Sequence, residues 1–337
     1  ESPVTQGIIW AGTDDGNVQL TRDGGKTWKK LNDRIPGNPG YWVSRVAASH
    51  HDAGTAYVSL RGRDRGDYRP FVYKTTDYGE TWVSISANLP NESINVIKED
   101  HKNPNLLFVG NDKAVYVTID GGENWTRLKN NMPTQPVHDL VIHPRENDLV
   151  VGTYGRGFFI TDISPLQELT PEVLGQEVHL FDIEPKVQWV IPRENVVSSQ
   201  NFAGENEPYG LMINYYLKNS VNSDVIVRVY KGERMINELR GSGSAGLNSV
   251  EWRMDTRRER TEEEKEQWKR NYEWFITQPY TKFQQIWYHD VSFDPNDPDH
   301  IGTQVLPGEY LVKLSVNGQE LTRTAVILKD HWYTKYY

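Results

Sequence analysis

Cysteine is absent from the 337 residues, which excludes disulfide bonds and thiolate metal sites. No apolar run approaches the roughly 20 residues that span a membrane as a helix, so no transmembrane segment is predicted. Basic residues are also outnumbered by acids, 37 against 46, and the net charge is −9. We therefore expect no nucleic-acid partner, because proteins that bind nucleic acids present a basic face.

Turn-forming and aromatic residues are plentiful by contrast. The chain holds 27 Gly, 18 Pro, 11 Trp and 18 Tyr. Aromatic residues favour strands, and Gly and Pro mark the turns between strands. The composition thus predicts an all-β protein built from many short strands.

One eleven-residue segment occurs three times, as TRDGGKTWKKL at 21–31, TTDYGETWVSI at 75–85 and TIDGGENWTRL at 118–128. In each copy an Asp can accept N–H groups of its own turn, Gly tolerates a positive φ, and Trp can fold beneath the turn. We call this segment a clasp and predict that it closes a hairpin. Its structural residues are predicted to be Asp23, Gly25, Trp28, Asp77, Gly79, Trp82, Asp120, Gly122 and Trp125.

The clasp aspartates are separated by 54 and 43 residues. The flanking segments, such as 106–111 and 148–154, predict strands, and a degenerate fourth copy at 157–169 carries Asp162. Four short strands per unit of about 40–45 residues are typical of β-propeller blades, so 1–170 is predicted to hold about three and a half blades. One Asp per blade cannot form the close carboxylate pair of a glycosidase, so no catalytic residue is assigned.

These segments resemble the Asp-box, the S/T-x-D-x-G-x-T-W repeat of sialidases, xyloglucanases and sortilin-like proteins. GTDDGNVQLTRDGGKTW, YRPFVYKTTDYGETW and NDLVVGTYGRGFFITDISPL resemble the closing blades of the sortilin-like, Asp-box (BNR-repeat) family. GLNSVEW at 246–252 and VLPGEYLVKLSVNG at 305–318 resemble its terminal sandwich domain. The resemblance implies a large bacterial protein outside the cytoplasm, either secreted, periplasmic or on the cell surface, of a family often labelled glycosyl hydrolase.

The number of blades bears on the partners of the chain. Propellers usually close with four to eight blades, and an open stack would expose unpaired strand edges. We expect the missing blades to come from an upstream part of the same precursor or from a companion chain. The start ESPVTQG, without an initiator Met, also favours a processed or trimmed piece. The alternative is a ring of four blades that closes on itself.

The second half of the chain has strands without clasps. After a proline-marked linker at 171–177, alternating segments over 178–330 predict an immunoglobulin-like β-sandwich, followed by a tail at 331–337. Within the insertion 261–288, residues 261–276 predict a helix, because Thr261 and Glu264 form a capping box. The insertion is rich in aromatic residues, which either pack on a neighbouring surface or form a platform for a sugar or partner. Its candidate binding residues are Trp268, Trp274 and Trp287.

Two loops of the blades carry further candidates. The insertion RGRDRGDYRP at 61–70 hangs between two strands of one blade, and arginines can bind carboxylates or phosphates. Its alternative role is an ion-pair network with the next blade. Arg156, between two glycines, either faces a central channel or donates to carbonyl groups at the blade ends. The candidate binding residues of these loops are Arg61, Arg63, Asp64, Asp67, Tyr68 and Arg156.

Metal sites have little support. The segment DPNDPDH could wrap calcium with Asp294–Asp299, but it lacks the Gly and the terminal Glu of a helix–loop–helix site. Turn residues and prolines explain it equally well. No other cofactor is expected.

Three functions follow as hypotheses. The first is a non-catalytic binding or assembly scaffold that recognises a glycan or protein partner. The second is part of a xyloglucanase-like glycoside hydrolase whose catalytic acids lie in upstream blades. The third is a sortilin-like peptide receptor. Whether the whole protein is an enzyme stays open, and this part of it is predicted to be non-catalytic.

Overall fold

The computed structural model describes residues 1–129, 131–189, 208–277 and 297–331. The chain divides into two compact units, Glu1–Pro171 and Glu172–Tyr337. Strands dominate both units, which confirms the predicted all-β class with Asp-box blades. Among the described residues, no helix is both long and apolar enough to cross a membrane.

The first unit consists of four antiparallel sheets that follow one another along the chain. Sheet 1 has β1 (Ile9–Gly12), β2 (Val18–Thr21) and β3 (Lys29–Lys30). Sheet 2 has β4 (Trp42–Ala48), β5 (Ala56–Arg61), β6 (Phe71–Thr75) and β7 (Val83–Ser84). Sheet 3 has β8 (Ile94–Glu99), β9 (Leu107–Asn111), β10 (Val115–Thr118) and β11 (Thr126–Leu128). Sheet 4 has β12 (Val137–Ile142), β13 (Asp148–Thr153) and β14 (Phe158–Asp162), and short helices α1 (Ser164–Glu168) and α2 (Pro171–Gly175) follow.

The sheets stack face to face, as blades of a propeller do. Three buried apolar clusters fill the spaces between sheets 1 and 2, sheets 2 and 3, and sheets 3 and 4. An ion pair between Arg45 of β4 and Asp139 of β12 shows that the first strands of sheets 2 and 4 converge. No core cluster joins sheets 1 and 4 among the described residues, so the four blades do not close on themselves.

Each clasp lies between the last two strands of a sheet and is held by its own side chains. In the first, Thr27 donates from its backbone N and from Oγ1 to Asp23, at 2.9 and 2.7 Å, and Gly25 N donates to Thr21 Oγ1 at 2.9 Å. The Thr27 N–H first, and then the hydroxyl groups of Thr27 and Thr21, lower the pKa of Asp23 to about 2. The pattern repeats around Asp77 and Asp120.

Asp162 does not take the clasp position that its sequence spacing indicates. Thr161 pairs with Leu149 as Thr118 pairs with Leu107, so Ile163 stands where the clasp Asp would be. Asp162 instead accepts a 2.8 Å hydrogen bond from Ser164 N at the start of α1. The fourth copy therefore shares the strand pattern of a blade but not its clasp.

The second unit has two sheets that share one apolar core. The first sheet has β15 (Val178–Leu180), β17 (Leu211–Leu217) and β20 (Gly246–Trp252). The second has β16 (Lys186–Gln188), β24 (Gln319–Lys329), β23 (Gly308–Val316), β18 (Val225–Lys231) and β19 (Arg234–Gly241). A separate ribbon has β21 (Asp255–Glu259) and β22 (His300–Gln304). Alternating strands thus face each other across a core, and the immunoglobulin-like topology stays a prediction.

Helix α3 spans Glu262–Phe275, and its predicted capping box is confirmed. Glu264 N donates to Thr261 Oγ1 at 3.3 Å, and Thr261 N donates to Glu264 Oε2 at 2.9 Å. Arg258 also donates to Glu264. The Arg258 bond has the largest effect on the pKa of Glu264 and the Thr261 N–H the next largest, and together they lower this pKa to about 2. The cap fixes where the helix begins after β21.

Replacement of Asp255 by Asn is expected to stabilise the second unit above pH 6. Burial raises the pKa of Asp255 to about 6, although Arg253 and Arg257 lower it in part. The folded protein therefore holds a proton that the unfolded chain releases, and the unfolding free energy falls as pH rises from about 4 to 6. Asn keeps the acceptor for Asn237 Nδ2, 2.8 Å away, without the buried charge.

The expected gain for Asp255→Asn is at most about 3 kcal/mol at pH 7.5 and close to zero at pH 4. Thermal unfolding of both proteins across this pH range measures it. An equal gain at both pH values would show that the buried charge is not the cause.

Candidate functional site

The clasps and the other loops of the blades lie at opposite ends of the sheets. The clasps join the last two strands of sheets 1 to 3, whereas the hairpins at 62–70, 112–114 and 154–157 join the second and third strands of sheets 2, 3 and 4. Antiparallel strands place these two kinds of connection at opposite ends. We call the end of the sheets that carries the hairpins at 62–70, 112–114 and 154–157 the hairpin end. All six candidate residues of the blade loops lie at this end.

The insertion at the hairpin end is shaped by internal ion pairs. Arg61 donates from Nε and Nη2 to Asp64 Oδ2, at 3.2 and 3.0 Å. Arg69 donates from Nε and Nη2 to Asp67, at 3.0 and 2.7 Å, and Tyr41 OH also reaches Asp67, at 3.2 Å. The Arg69 bonds, first among several, lower the pKa of Asp67 to about 2, so this carboxylate stays charged.

A second set of contacts connects the insertion to the next two blades. Arg63 Nη1 donates to Asp112 Oδ1 at 3.0 Å, and Asn95 Nδ2 donates to the same oxygen at 3.0 Å. Asn95 Nδ2 also donates to Val137 O, at 3.1 Å, on the first strand of sheet 4. The predicted ion-pair network between the insertion and its neighbouring blade is therefore present.

An open cavity of about 580 Å³ lies beside the insertion at the junction of sheets 2 and 3. Tyr68 and Arg69 of the insertion, Asn91 and Glu92 before β8, and Lys113 after β9 line it. Tyr68 is 52% exposed, and the side chains of Arg69 and Lys113 are 68% and 60% exposed. Lys113 pairs with Glu92, which raises the pKa of the lysine.

Aromatic rings are exposed at the same end. Trp42 is 44% exposed, and the Arg61 guanidinium lies 3.9 Å from the centre of its ring. This stacking holds a flat surface open to solvent, since a cation over an indole face restrains the ring. Tyr154, 72% exposed, stacks on His138 with the ring centres 5.4 Å apart.

Arg156 is exposed at the tip of the hairpin between β13 and β14. Gly155 and Gly157 on either side have φ of 85° and 75°, which the tight turn requires. Its guanidinium makes no hydrogen bond or ion pair with the described part of the chain.

The second unit presents a separate aromatic surface on α3. Trp268 and Tyr272 stack with ring centres 5.0 Å apart, and Trp274 is 51% exposed. The remaining candidate, Trp287, and the rest of the predicted insertion from 278 to 288 lie outside the described residues. So do residues 332–337 of the predicted tail.

The predicted calcium segment is only partly described. Asp294 and Asn296 lie outside the described residues, and Asp297 accepts from Arg257 at 2.5 Å and from His300 Nδ1 at 2.9 Å. Lys265 lies 3.9 Å from Asp299. No group of acids and histidines suited to a metal occurs among the described residues, and calcium binding at 294–299 stays a prediction.

Comparison with curated protein sequences gives no match for this chain. Two protein families match parts of it: the sortilin family, described as "Sortilin, neurotensin receptor 3", at residues 71–164, and the BNR/Asp-box repeat at residues 19–30. These ranges contain the three clasps whose hydrogen bonds are described above. These parts of the chain are thus similar to the sortilin family and to the BNR/Asp-box repeat.

Solved structures similar to this chain include a GH74 xyloglucanase from Xanthomonas campestris, with 13% identity over 96% of this chain and 53% of that one, at a TM-score of 0.39. A GH74 enzyme from Niastella koreensis has 17% identity over 55% and 31% of the two chains, at a TM-score of 0.40. YCF48 from Cyanidioschyzon merolae has 17% identity over 72% and 81%, at a TM-score of 0.32. The present chain spans about half of one GH74 chain and about a third of the other.

Several residues of the hairpin end were not predicted from the sequence. These are Trp42, which lies under Arg61, and Asn91, Glu92 and Lys113. The last three flank strands of sheet 3 and reach Tyr68 and Arg69 of sheet 2 only through sheet packing. The position of each just before or after a predicted strand was the available signal. Among the described residues, every acid that contacts the insertion is paired with Arg or Lys.

Proposed function

We propose that this part of the protein is a non-catalytic binding scaffold outside the cytoplasm, and that its hairpin end binds a glycan. The observation that carries the proposal is the open cavity between Tyr68, Arg69, Asn91, Glu92 and Lys113. It combines an exposed aromatic face with several donors and acceptors on a rigid set of blades.

The chemistry of the cavity suits a sugar. Sugars present C–H faces that pack on aromatic rings, and hydroxyl groups that need both donors and acceptors. Tyr68 supplies the ring, Arg69 and Lys113 supply donors, and Glu92 supplies acceptors. Trp42 extends the exposed aromatic surface at the same end.

The paired acids favour binding over hydrolysis in this part of the protein. A glycosidase needs two carboxyl groups with distinct roles at about 5 Å or roughly 6.5–9.5 Å from one another. Asp64, Asp67 and Asp112 are each engaged by an arginine, and Glu92 by Lys113. A catalytic pair on other blades, as in a xyloglucanase, is the second hypothesis, and peptide binding is the third.

The test measures, by affinity electrophoresis, how the full chain binds to soluble plant and bacterial polysaccharides. Tyr68→Ala is expected to weaken binding about tenfold, because loss of one stacked ring costs roughly 1–1.5 kcal/mol. Arg69→Gln tests the donor in the same cavity. Trp274→Ala on α3 is the matched control, since Trp274 is an aromatic residue of similar exposure, 51%, in the other unit.

The outcomes separate the hypotheses. Loss of binding in Tyr68→Ala with normal binding in Trp274→Ala supports the hairpin end as the site. The reverse pattern moves the site to α3 and contradicts the proposal. Release of defined oligosaccharides would show catalysis, and stabilisation by peptides but not by any glycan would favour the receptor hypothesis.

A further inference from the structure

Sheets 1 to 3 use the same register positions to contact the next sheet. In each of these sheets a small residue on one strand (β1, β5 or β9) lies opposite a valine on the next strand along the chain. The pairs are Gly12 with Val18, Ser59 with Val72, and Gly110 with Val115. Two residues before each small residue stands a large aromatic residue: Trp10, Tyr57 and Phe108. The three valines are fully buried, and so are Tyr57 and Phe108, with Trp10 only 7% exposed.

The first strand of the following sheet covers each small residue. A Cβ added to Gly12 would lie 2.4 Å from Val43 of β4, and one added to Gly110 would lie 2.5 Å from Val137 of β12. Ser59 Oγ contacts Ser44 Oγ at 2.8 Å, and Ser44 Oγ donates to Ile94 O of β8, also at 2.8 Å. A small residue is needed because the covering strand approaches closely.

Sheet 4 repeats this surface, and no strand covers it in the part of the chain that the structure describes. Gly152 lies opposite Phe158 and two residues after Val150, which is the same register. Phe158, Ile160 and Val141 on this face are 77%, 64% and 52% exposed. A Cβ added to Gly152 would meet no atom closer than 3.5 Å.

The outer side of sheet 1, where a preceding sheet would pack, is also exposed to solvent. Trp82 and Trp125 are 5% and 4% exposed, because each clasp Trp packs against the preceding sheet, whereas Trp28 is 44% exposed. A Cβ added to Gly79 or Gly122 would lie 2.6 Å from Leu31 or 2.8 Å from Ile85 of the preceding sheet. One added to Gly25 would meet only Trp28 of the same clasp.

We infer that the face of sheet 4 formed by Val141, Val150, Gly152, Phe158 and Ile160 docks a further Asp-box blade from a polypeptide segment outside residues 1–337, and that the Trp28 side of sheet 1 docks another. Because first strands cover Gly12 and Gly110 within this chain, we expect the first strand of that blade to cover Gly152 and to place a Val or Ile side chain against it. Exposed apolar faces of this kind mark interaction sites on soluble proteins.

A second copy of this chain does not fit the face. The residue that covers Gly12 or Gly110 belongs to a first strand, β4 or β12. In sheet 1, β1 carries Gly12 opposite Val18, as β9 carries Gly110 opposite Val115, so β1 corresponds to a second strand. Sheet 1 of another copy therefore brings no first strand to Gly152.

Site-specific photocross-linking in the cells that make the protein tests this inference. A benzophenone amino acid replaces Phe158 or Trp28, and replaces Val83 as the control. Val83 is 58% exposed but lies on β7 of sheet 2, which has a neighbour on both sides. Mass spectrometry then identifies the peptides joined to each position.

The expected peptides from positions 158 and 28 lie outside residues 1–337 and within one blade length, roughly 45 residues, of an S/T-x-D-x-G-x-T-W segment. Position 83 is expected to give none. Gly152→Val should reduce cross-linking from 158 about tenfold or more, since it blocks close approach of the covering strand. The purified Gly152→Val chain should keep the unfolding temperature of the parent, which shows that its own fold is intact.

Four results would overturn the inference. They are cross-links only to peptides of residues 1–337, cross-links to a protein without Asp-boxes, no cross-link from Phe158, and an unchanged yield in Gly152→Val. None of these depends on glycan binding at the hairpin end, so the two proposals fail separately.

Discussion

Trp125→Ala should lower the unfolding free energy of the blades by about 3–5 kcal/mol, as expected for a buried tryptophan. Trp125 is 4% exposed, and its Nε1 donates a 2.8 Å hydrogen bond to Ile85 O on the preceding sheet. The change removes a large ring from the cluster between sheets 2 and 3 and leaves that carbonyl without its donor. Thermal unfolding of the full chain should show a fall of roughly 10 °C.

Trp28→Ala is the matched control, because it changes the same clasp position in sheet 1. Trp28 is 44% exposed, so we expect a loss below about 1 kcal/mol in the purified chain. Equal losses in the two variants would show that the clasp tryptophan acts within its own turn. That result would contradict packing against the preceding sheet as the source of its stability.

Gly110→Val should destabilise the chain by about 1–3 kcal/mol or more, whereas Gly152→Val should be neutral or slightly stabilising. Neither glycine has the positive φ that would itself require glycine. A Cβ at Gly110 would lie 2.5 Å from Val137 and 2.7 Å from Val96, and sheets 3 and 4 would have to separate. At Gly152 the nearest atom is 3.5 Å away, and valine favours a strand more than glycine does.

Denaturant unfolding of the two valine variants measures the difference directly. Gly110→Ala should fall between wild type and Gly110→Val, because it adds the Cβ without the branched methyl groups. A stable Gly110→Val protein would mean that sheets 3 and 4 are less closely packed than the structure shows.

The clasps were predictable from sequence because their chemistry is local. Thr21, Asp23 and Thr27 lie within seven residues, and the hydrogen bonds among them need no other part of the chain. The capping box of α3 is local in the same way. The hairpin turn at Asn317 and Gly318, with φ of 50° and 77°, was also indicated by its residues alone.

Features that depend on register or on distant strands were harder to predict. Asp162 lies 42 residues after Asp120, as a blade repeat would place it, but Thr161 pairs with Leu149 and the clasp position falls on Ile163. Strands β19 and β21 are not indicated by alternation, because charged residues interrupt it. Lys113 and Asn91 join the cavity only once sheets 2 and 3 are packed.

The self-contained clasps also bear on how the chain folds. Each clasp closes its hairpin through contacts between residues no more than four apart, such as Thr81 with Asp77, so a hairpin can form before its sheet meets any neighbour. Local contacts of this kind make folding fast, and repeated units add their stabilities one interface at a time. Synthesis of the chain can therefore deliver a finished hairpin for each of the three blades with a clasp, and we expect the stacking of completed sheets to be the slow step.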